Sequence, residues 1–334
     1  MVNSSEFFMK LALEKAWVYQ GLTYPNPPVG AVITDNKNNF IASGVHVKAQ
    51  TPHAEVNAIK QAYLNITKDE KILKFENSND IHQYLHVKHN GIFENKNIHV
   101  TLEPCNHFGK TPPCSKLIKK LGFKKVFIGT LDTNKKASGG FEYLQKNGLH
   151  VEVGILENRC KELLKPFTVW QNKPFVFFKL AQSSNGVISG GTITCKESRT
   201  HVHALRDKTD LLVIGGNSVR IDRPILDARM VDGKAPDILI YSKSKKFDRD
   251  TPLFNIKGRK VFIEDSFDKI QDYKFVMVEG GKGMLKACQN IVEYYLIYKS
   301  PHEKKGIPVK FEIELKEFFN SKIGEDTYAW HTKC

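Results

Sequence analysis

Two short stretches of this 334-residue chain hold residue types that can do chemistry together. His53 and Glu55 sit two residues apart in "HAEVNAIKQAYL", directly after Pro52, while Cys105 and Cys114 lie in "TLEPCNHFGKTPPC" with eight residues between them. Singly, each has a plain explanation. A first-turn glutamate suits the helix dipole, and a lone buried cysteine behaves as a small hydrophobe. Jointly, two thiolates and one imidazole give zinc three protein ligands, and that count leaves a fourth position for water, as catalytic sites do. Zinc brings the pKa of such a water toward neutrality. Glu55 is not needed as a ligand, so it is free to take the water's proton and deliver it to a leaving amine, which is the chemistry of hydrolytic deamination.

The elements that must position these residues can be read around them. Residues 5–20 place Phe7, Phe8, Leu11, Trp17 and Val18 mostly on one helical face, with Ser4 or Ser5 as its cap. "VGAVIT" and "FIASGVHV" are expected as strands joined by the turn-rich "DNKNN". A helix runs from His53 to about Leu64, so His53 and Glu55 share its first turn. Residues 65–97 form a polar insertion with some local helix. "NIHVTLE" is a strand that ends just before Cys105, and "PCSKLIKKLG" is a helix that opens at Cys114. "KKVFIG", "FEYLQKNG" and "LHVEVG" continue the alternation, which argues for a layered α/β domain over 1–150. A helix at 156–171, within a connecting segment 151–172, leads to a second alternation over 173–334. Its strands are "PFVFFKLA", "DLLVIGG", "DILIY", "KVFIE", "FVMVEGG", "VEYYLIYKS" and "PVKFEIEL", with helices near 196–207 and from about 282.

Composition agrees with two folded domains. The chain is 41% hydrophobic and 10% aromatic. No apolar run reaches the length needed to span a bilayer, and Glu6 and Glu14 stand where a secretory signal would be apolar, so a cytoplasmic protein with no membrane partner is expected. Six dispersed cysteines do not make the framework of a small secreted domain. The net charge of +14 lacks a basic block or a basic-aromatic stripe, and is taken as a lysine-rich surface suited to anionic small molecules, with no nucleic acid as partner.

The assembly of "HAE" with the later "PC" and a further cysteine resembles the zinc-dependent cytidine-deaminase superfamily, in which the glutamate is the acid-base. Nucleic-acid and nucleoside deaminases usually place two residues between the last two cysteines, where this chain has eight. "PNPPVG", "HAE" and "TLEPCNHFGKTPPC" together resemble the deaminase domain of the bifunctional deaminase-reductases of riboflavin biosynthesis. The resemblance implies a cytidine-deaminase-like three-layer α/β/α domain with Zn2+ on His53, Cys105 and Cys114, and Glu55 as catalytic acid-base. It implies a phosphorylated ribosylaminopyrimidine substrate, contacted by Asn26 and held through its phosphate by His107 and Lys110. The 65–97 segment is much shorter in many relatives.

From Pro174 to Glu314 the resemblance continues, less tightly, to the reductase domain of the same family, a dihydrofolate-reductase-like α/β domain that uses NADPH. The motifs are "KLAQSSNG", "ALRDKTDLLVIGGNSVRIDRPILDAR" and "VEGGKGMLKA". Carried over residue by residue, Ala181, Ser218, Asp222, Gly281, Lys282 and Gly283 would meet the cofactor, and Lys179, Arg206, Leu226, Arg229 and Glu279 the substrate. Two departures concern this domain: Asn185 stands where relatives commonly have Asp, and the 187–193 loop is short. They leave open a catalytically inactive C-terminal ligand-binding or oligomerisation module beside an active deaminase, and a nucleic-acid deaminase is a further alternative. Relatives generally assemble as dimers or tetramers, so a homo-oligomer is expected.

Overall fold

The computed structural model describes residues 4–109, 111–134, 136–309 and 312–334. The chain divides into two compact units, Met1–Thr168 and Val169–Cys334.

The first unit contains α1 (Ser4–Trp17), β1 (Gly30–Asp35), β2 (Phe40–Val45), α2 (Ala54–Thr67), α3 (Ser78–Lys88), β3 (Lys96–Leu102), α4 (Cys114–Leu121), β4 (Lys125–Thr130), α5 (Gly140–Lys146) and β5 (His150–Val153). Helix α6 (Glu157–Trp170) follows and carries the boundary between the units. The sheet order is β2-β1-β3-β4-β5, with β1 antiparallel to both neighbours and β3, β4 and β5 mutually parallel. Because successive strand residues point to opposite faces, Ala31 and Ile33 join the main core with Ile59 of α2, Leu117 of α4 and Leu144 of α5. Val32 turns the other way, onto Phe8 and Ala12 of α1. Helices thus cover both faces, as a three-layer α/β/α domain requires.

Helix α1 uses a different face from the expected one. Phe7 and Val18 are 56% and 40% exposed, whereas Phe8, Met9, Ala12, Leu13, Ala16 and Trp17 are buried. The small Ala12 and Ala16 let the helix lie close to the sheet, so side-chain bulk was a poor guide to its orientation. The helix also ends at Trp17, and Ser4 and Ser5 are its first described residues, not a cap ahead of it. The 65–97 segment is more than a surface excursion. It forms a 3₁₀ turn at Glu70–Lys74 and helix α3, and its Ile72, Ile81, Leu85 and Phe93 enter the main core.

The second unit contains β6 (Phe175–Gln182), α7 (Lys196–Lys208), β7 (Leu211–Gly215), α8 (Gly216–Asp222), β8 (Asp237–Tyr241), β9 (Val261–Glu264), β10 (Phe275–Glu279), α9 (Lys282–Cys288), β11 (Tyr294–Lys299), β12 (Leu315–Ile323) and β13 (Asp326–Lys333). The sheet order is β12-β13-β11-β6-β10-β7-β8-β9. From β11 to β9 all neighbours are parallel, and β13 and β12 add an antiparallel hairpin beside β11. Strand β6 is buried on both faces and reads accordingly as a continuous apolar run. Val176, Phe178 and Leu180 face one core cluster, while Phe177 stacks with Phe275 at 5.2 Å and meets Trp330 at 5.6 Å.

The strand expected over 308–315 is absent from the described part of that segment, which is irregular up to Leu315, where β12 begins. Alternation there reflects Ile313 and Leu315 packing against the core, not ladder pairing. The hairpin β12–β13 and the short α8 lie where neither was expected. The turn of that hairpin has a second task. Asp326 is fully buried, and its Oδ2 accepts the Cys195 N–H at 2.8 Å and the Ser198 hydroxyl at 2.6 Å, capping α7 from 131 residues away.

Candidate active site

His53 is the N-cap residue of α2, in extended conformation. The first turn of α2 lies directly on β2: a Cβ at Gly44 would strike the backbone of Ala54 and Asn57–Ala58, so glycine is what permits the close approach. Asn57 Nδ2 donates to the Val45 carbonyl at 2.8 Å and the Pro52 carbonyl at 3.2 Å, fixing the entry to the helix. His53 Nδ1 then lies 3.6 Å from Cys105 Sγ and 3.5 Å from Cys114 Sγ. Donor atoms of the three residues all lie within 4.8 Å of one another. Cys114 opens α4, and its backbone N–H donates to Cys105 Sγ at 3.4 Å. One imidazole and two thiols converging this closely fit zinc, which favours nitrogen and sulfur donors in tetrahedral array.

The electrostatics fit as well. A hydrogen bond from the Cys114 thiol, aided by His53, brings the Cys105 pKa down to about 4. The same hydrogen bond, together with burial, raises Cys114 well above its ordinary value. Burial opposes charge on His53, but Cys105 outweighs it and raises the imidazole. The two sulfurs therefore hold a proton that a bound cation would displace. Glu55 is 4% exposed, and burial pushes its carboxyl up to about 7 against the opposing pull of His53.

A cavity of about 370 Å³ opens onto this cluster, with Asn26, His46, Glu55, Glu103, His107, Asp132 and Asn134 among its walls. Asn26 is thus brought to the site, and His107 stands exposed at it; Lys110 lies outside the described residues. His46 orients Asn26. Its Nδ1 lies 3.1 Å from the Pro52 carbonyl, an obligate acceptor, so that nitrogen carries the proton and Nε2 accepts from Asn26 Nδ2, also at 3.1 Å. Burial keeps His46 neutral by lowering its pKa to about 4. Glu103 is a buried brace. Its Oε1 accepts the N–H groups of Gly139 and Phe141 at 3.0 and 2.9 Å, and its Oε2 that of Asp132 at 3.0 Å, tying one cavity wall to the end of β3. His46, Glu103, Asp132 and Asn134 were not among the expected residues. Glu103 alone offered a signal, as an acid ending an apolar strand beside Cys105.

In the second unit, Lys179 of β6 stands beside Glu279 of β10 in the sheet register, with Nζ 3.4 Å from Oε2. Arg206 of α7 grips the same carboxylate, its Nε and Nη2 donating to Oε1 at 3.1 and 2.9 Å and Nη2 to Oε2 at 3.1 Å. Burial disfavours charge on Glu279, but Arg206 and then Lys179 outweigh it and hold its pKa at about 2. Burial lowers Lys179 despite Glu279. Arg229 is exposed and joins this group through Asp227, whose Oδ1 accepts from it at 2.9 Å and whose carbonyl accepts from Arg206 at 3.4 Å. Leu226 is buried beside them. Ala181 lies two residues beyond Lys179, opposite Tyr298 of β11.

A second cavity, of about 440 Å³, is lined by Ser218, Gly281 and Gly283, along with the ends of β7 and β8. Its charged wall residues, Arg220 and Lys243, are both cationic, which suits a nucleotide with several phosphates. Of the other expected cofactor contacts, Lys282 pairs with Glu312 at 2.7 Å, and Asp222 is exposed at the end of α8, outside this lining. Asn185 braces two loops: its Oδ1 accepts the Ser183 hydroxyl at 2.5 Å and its Nδ2 donates to the Lys304 carbonyl at 2.9 Å. The cavity and the ion-pair group both lie at the carboxyl ends of parallel strands, the side on which open α/β sheets bind ligands.

Residues 2–130 match the family model of the cytidine and deoxycytidylate deaminase zinc-binding region, and residues 174–293 match that of the RibD C-terminal domain. Fold and site together define the class: a cytidine-deaminase-like zinc-binding domain joined to an α/β domain of the RibD C-terminal type. The riboflavin biosynthesis protein RibD of Aquifex aeolicus is 38% identical over 232 residues, 67% of this chain and 57% of that protein. The RibD of Actinobacillus pleuropneumoniae is 31% identical over 279 residues, 80% of this chain and 67% of its own length. The crystal structure of a diaminohydroxyphosphoribosylaminopyrimidine deaminase/5-amino-6-(5-phosphoribosylamino)uracil reductase from Thermotoga maritima superposes with a TM-score of 0.63 at 27% identity, covering 99% of both chains. This chain belongs to the RibD family of riboflavin biosynthesis proteins. It spans less than two thirds of the length of several relatives, 57% for the Aquifex protein and 59% for that of Bacillus amyloliquefaciens. No helix among the described residues is long and apolar enough to cross a membrane.

Proposed function

We propose that the protein catalyses two successive steps of riboflavin biosynthesis. The first hydrolyses the ring amino group of 2,5-diamino-6-(5-phosphoribosylamino)pyrimidin-4(3H)-one, and the second reduces the ribosyl group of the product to ribityl with NADPH. The observation that carries this reading is the buried Glu55 carboxyl beside the converged His53, Cys105 and Cys114 in a cavity. His53, Cys105 and Cys114 would hold zinc, which would supply the Lewis acidity that lets water react at neutral pH. Glu55 takes the proton of that water on its carboxylate and passes it to the departing amino nitrogen, so water enters and ammonia leaves. Asn26, with Nδ2 committed to His46, has its Oδ1 left to accept from the pyrimidine. His107 and Lys110 are assigned to the substrate phosphate.

Residues 1–150 are assigned to deamination, 151–172 to the connection and 173–334 to reduction. NADPH, when bound, would supply the hydride, and the chain would position it against C1′ of the opened sugar. Arg206 is already committed to Glu279, so Arg229, exposed and engaged through Nη1, is the guanidinium with donors to spare for the substrate phosphate. Lys179, Leu226 and Glu279 complete the substrate side. Ala181, Ser218, Asp222, Gly281, Lys282 and Gly283 are assigned to the cofactor. A cytoplasmic homo-oligomer, dimer or tetramer, completes the reading. In one sample containing the diaminopyrimidine ribosyl phosphate and NADPH, ammonia release should precede stoichiometric NADPH oxidation. Ammonia release without oxidation would leave a deaminase with a non-catalytic C-terminal unit, and neither signal would overturn the proposal.

A further inference from the structure

We infer that Arg259 is a positioning residue for the reduction step: its guanidinium holds the Leu226 backbone in the conformation that presents Leu226 and Arg229 to the substrate. The inference rests on the reading of this unit as the reductase. Leu226 has a φ of 56°, in the left-handed region that a bulky side chain rarely enters and that persists where the surroundings hold it. Arg259, just ahead of β9, supplies that hold. Its Nη1 donates to the Ile225 carbonyl at 2.7 Å, and its Nη2 donates to the Leu226 carbonyl. Those carbonyls belong to the two peptide planes on either side of the Leu226 Cα. One planar fork therefore fixes both flanks of the strained residue.

The fork is itself anchored. Nε donates to the Pro236 carbonyl at 2.8 Å, and Nη1 also reaches the Leu253 carbonyl at 3.4 Å. The Leu253 N–H in turn donates to the Pro224 carbonyl at 3.1 Å, two residues before Leu226. The residues after Leu226 are the ones that lead to the ion-pair group. The Asp227 carbonyl accepts from Arg206, and the Asp227 carboxylate accepts from Arg229. Rotation at Leu226 would swing Asp227 away from Arg206 and carry Arg229 with it. Among the described residues, all four hydrogen bonds of the Arg259 guanidinium go to backbone carbonyls, so it shapes the chain and acts on the substrate through Leu226 and Arg229. A lysine ammonium keeps the charge but lacks the rigid fork that spans two carbonyls.

The test is steady-state reduction of the deaminated intermediate by full-length zinc-loaded protein, comparing wild type with Arg259→Ala and Arg259→Lys. Both variants should raise KM for the intermediate by about tenfold or more, the scale of a displaced binding group, with KM for NADPH and the rate of ammonia release unchanged. A rise in one KM with kcat retained marks lost binding of that ligand, whereas a smaller folded fraction lowers kcat and moves neither KM. Arg259→Lys keeps the alkyl stem and the charge, so it holds the test apart from folding. Loss of kcat alone, or an equal rise in both KM values, would overturn the positioning role and leave the reductase reading intact. Wild-type behaviour of Arg259→Lys would also overturn it, by showing that charge without the fork suffices. Wild-type protein that releases ammonia but does not oxidise NADPH would overturn the reductase reading and the inference with it.

Discussion

At the first site the ionisable groups crowd together with no lysine or arginine among the described residues of the cavity: two sulfurs, an imidazole and a buried carboxyl converge around a point that suits a cation. At the second, Glu279 already holds Arg206 and Lys179, so the charges there largely cancel within the protein. The first arrangement is completed by an ion and is chemically unfinished without it. The second is stable by itself and needs only to be approached. Their assembly differs too. The metal cluster comes from the starts of two helices and one strand-end loop, whereas the ion-pair group comes from two strands and a helix spread over 100 residues.

This contrast can be broken in four ways. Stripping the metal with a chelator should abolish ammonia release and leave NADPH oxidation of the deaminated intermediate intact; parallel loss of both activities would show that the units do not work independently. Glu55→Gln should cut deamination by roughly 10²- to 10⁴-fold with zinc content unchanged, and metal analysis beside the ammonia assay distinguishes this from ligand loss. Glu279→Gln leaves Lys179 and Arg206 buried without their counter-charge, so the second unit should lose about 3 to 5 kcal/mol. Calorimetry should then show one transition moving and the first unit's staying in place.

The smallest effect concerns pH. His46, His82 and His99 of the first unit are each lowered by burial from 6.5 to about 4, against His201 of the second. A histidine neutral in the fold and protonated when unfolded contributes stability above pH 6.5 that is lost as pH falls toward 4. Glu279, lowered from 4.5 to about 2, contributes stability above pH 4.5 that is lost between 4.5 and 2. Acidification should therefore lower the first unit's unfolding temperature more between pH 6.5 and 4, with three such histidines against one, and the second unit's more below pH 4.5 through Glu279. The reverse order in a calorimetric pH series would count against the comparison.

The metal cluster was legible because its chemistry lies in residue type and short spacing: "HAE" at a helix entrance, Cys105 after a strand, Cys114 before a helix. His46 and Glu103 were not, because their roles come from hydrogen bonds to backbone and amide groups that only the closed fold brings near. Strand positions in the second unit were largely evident from their apolar runs, but α8 opens on Gly216 behind a glycine N-cap and spans a bare two turns, so no period announced it. The β12–β13 hairpin has Phe319, Tyr328 and Trp330 buried between less buried neighbours, a pattern masked by the nearer alternation at 308–315. Arg206 was expected against the substrate. Its grip on Glu279 depends on a sheet pairing that sequence spacing does not encode.

Asp326, reaching back to cap α7, sets an order on the making of the protein. All five strands of the first sheet are synthesised by Val153, so that unit can close while later residues are still being added, in keeping with domain-wise folding during synthesis. The second sheet stays open far longer: β13 is translated last of its strands yet sits inside the order, between β12 and β11. Until then α7 has neither its cap nor the neighbouring hairpin. A nascent chain therefore offers a finished metal pocket well before it offers a finished second sheet.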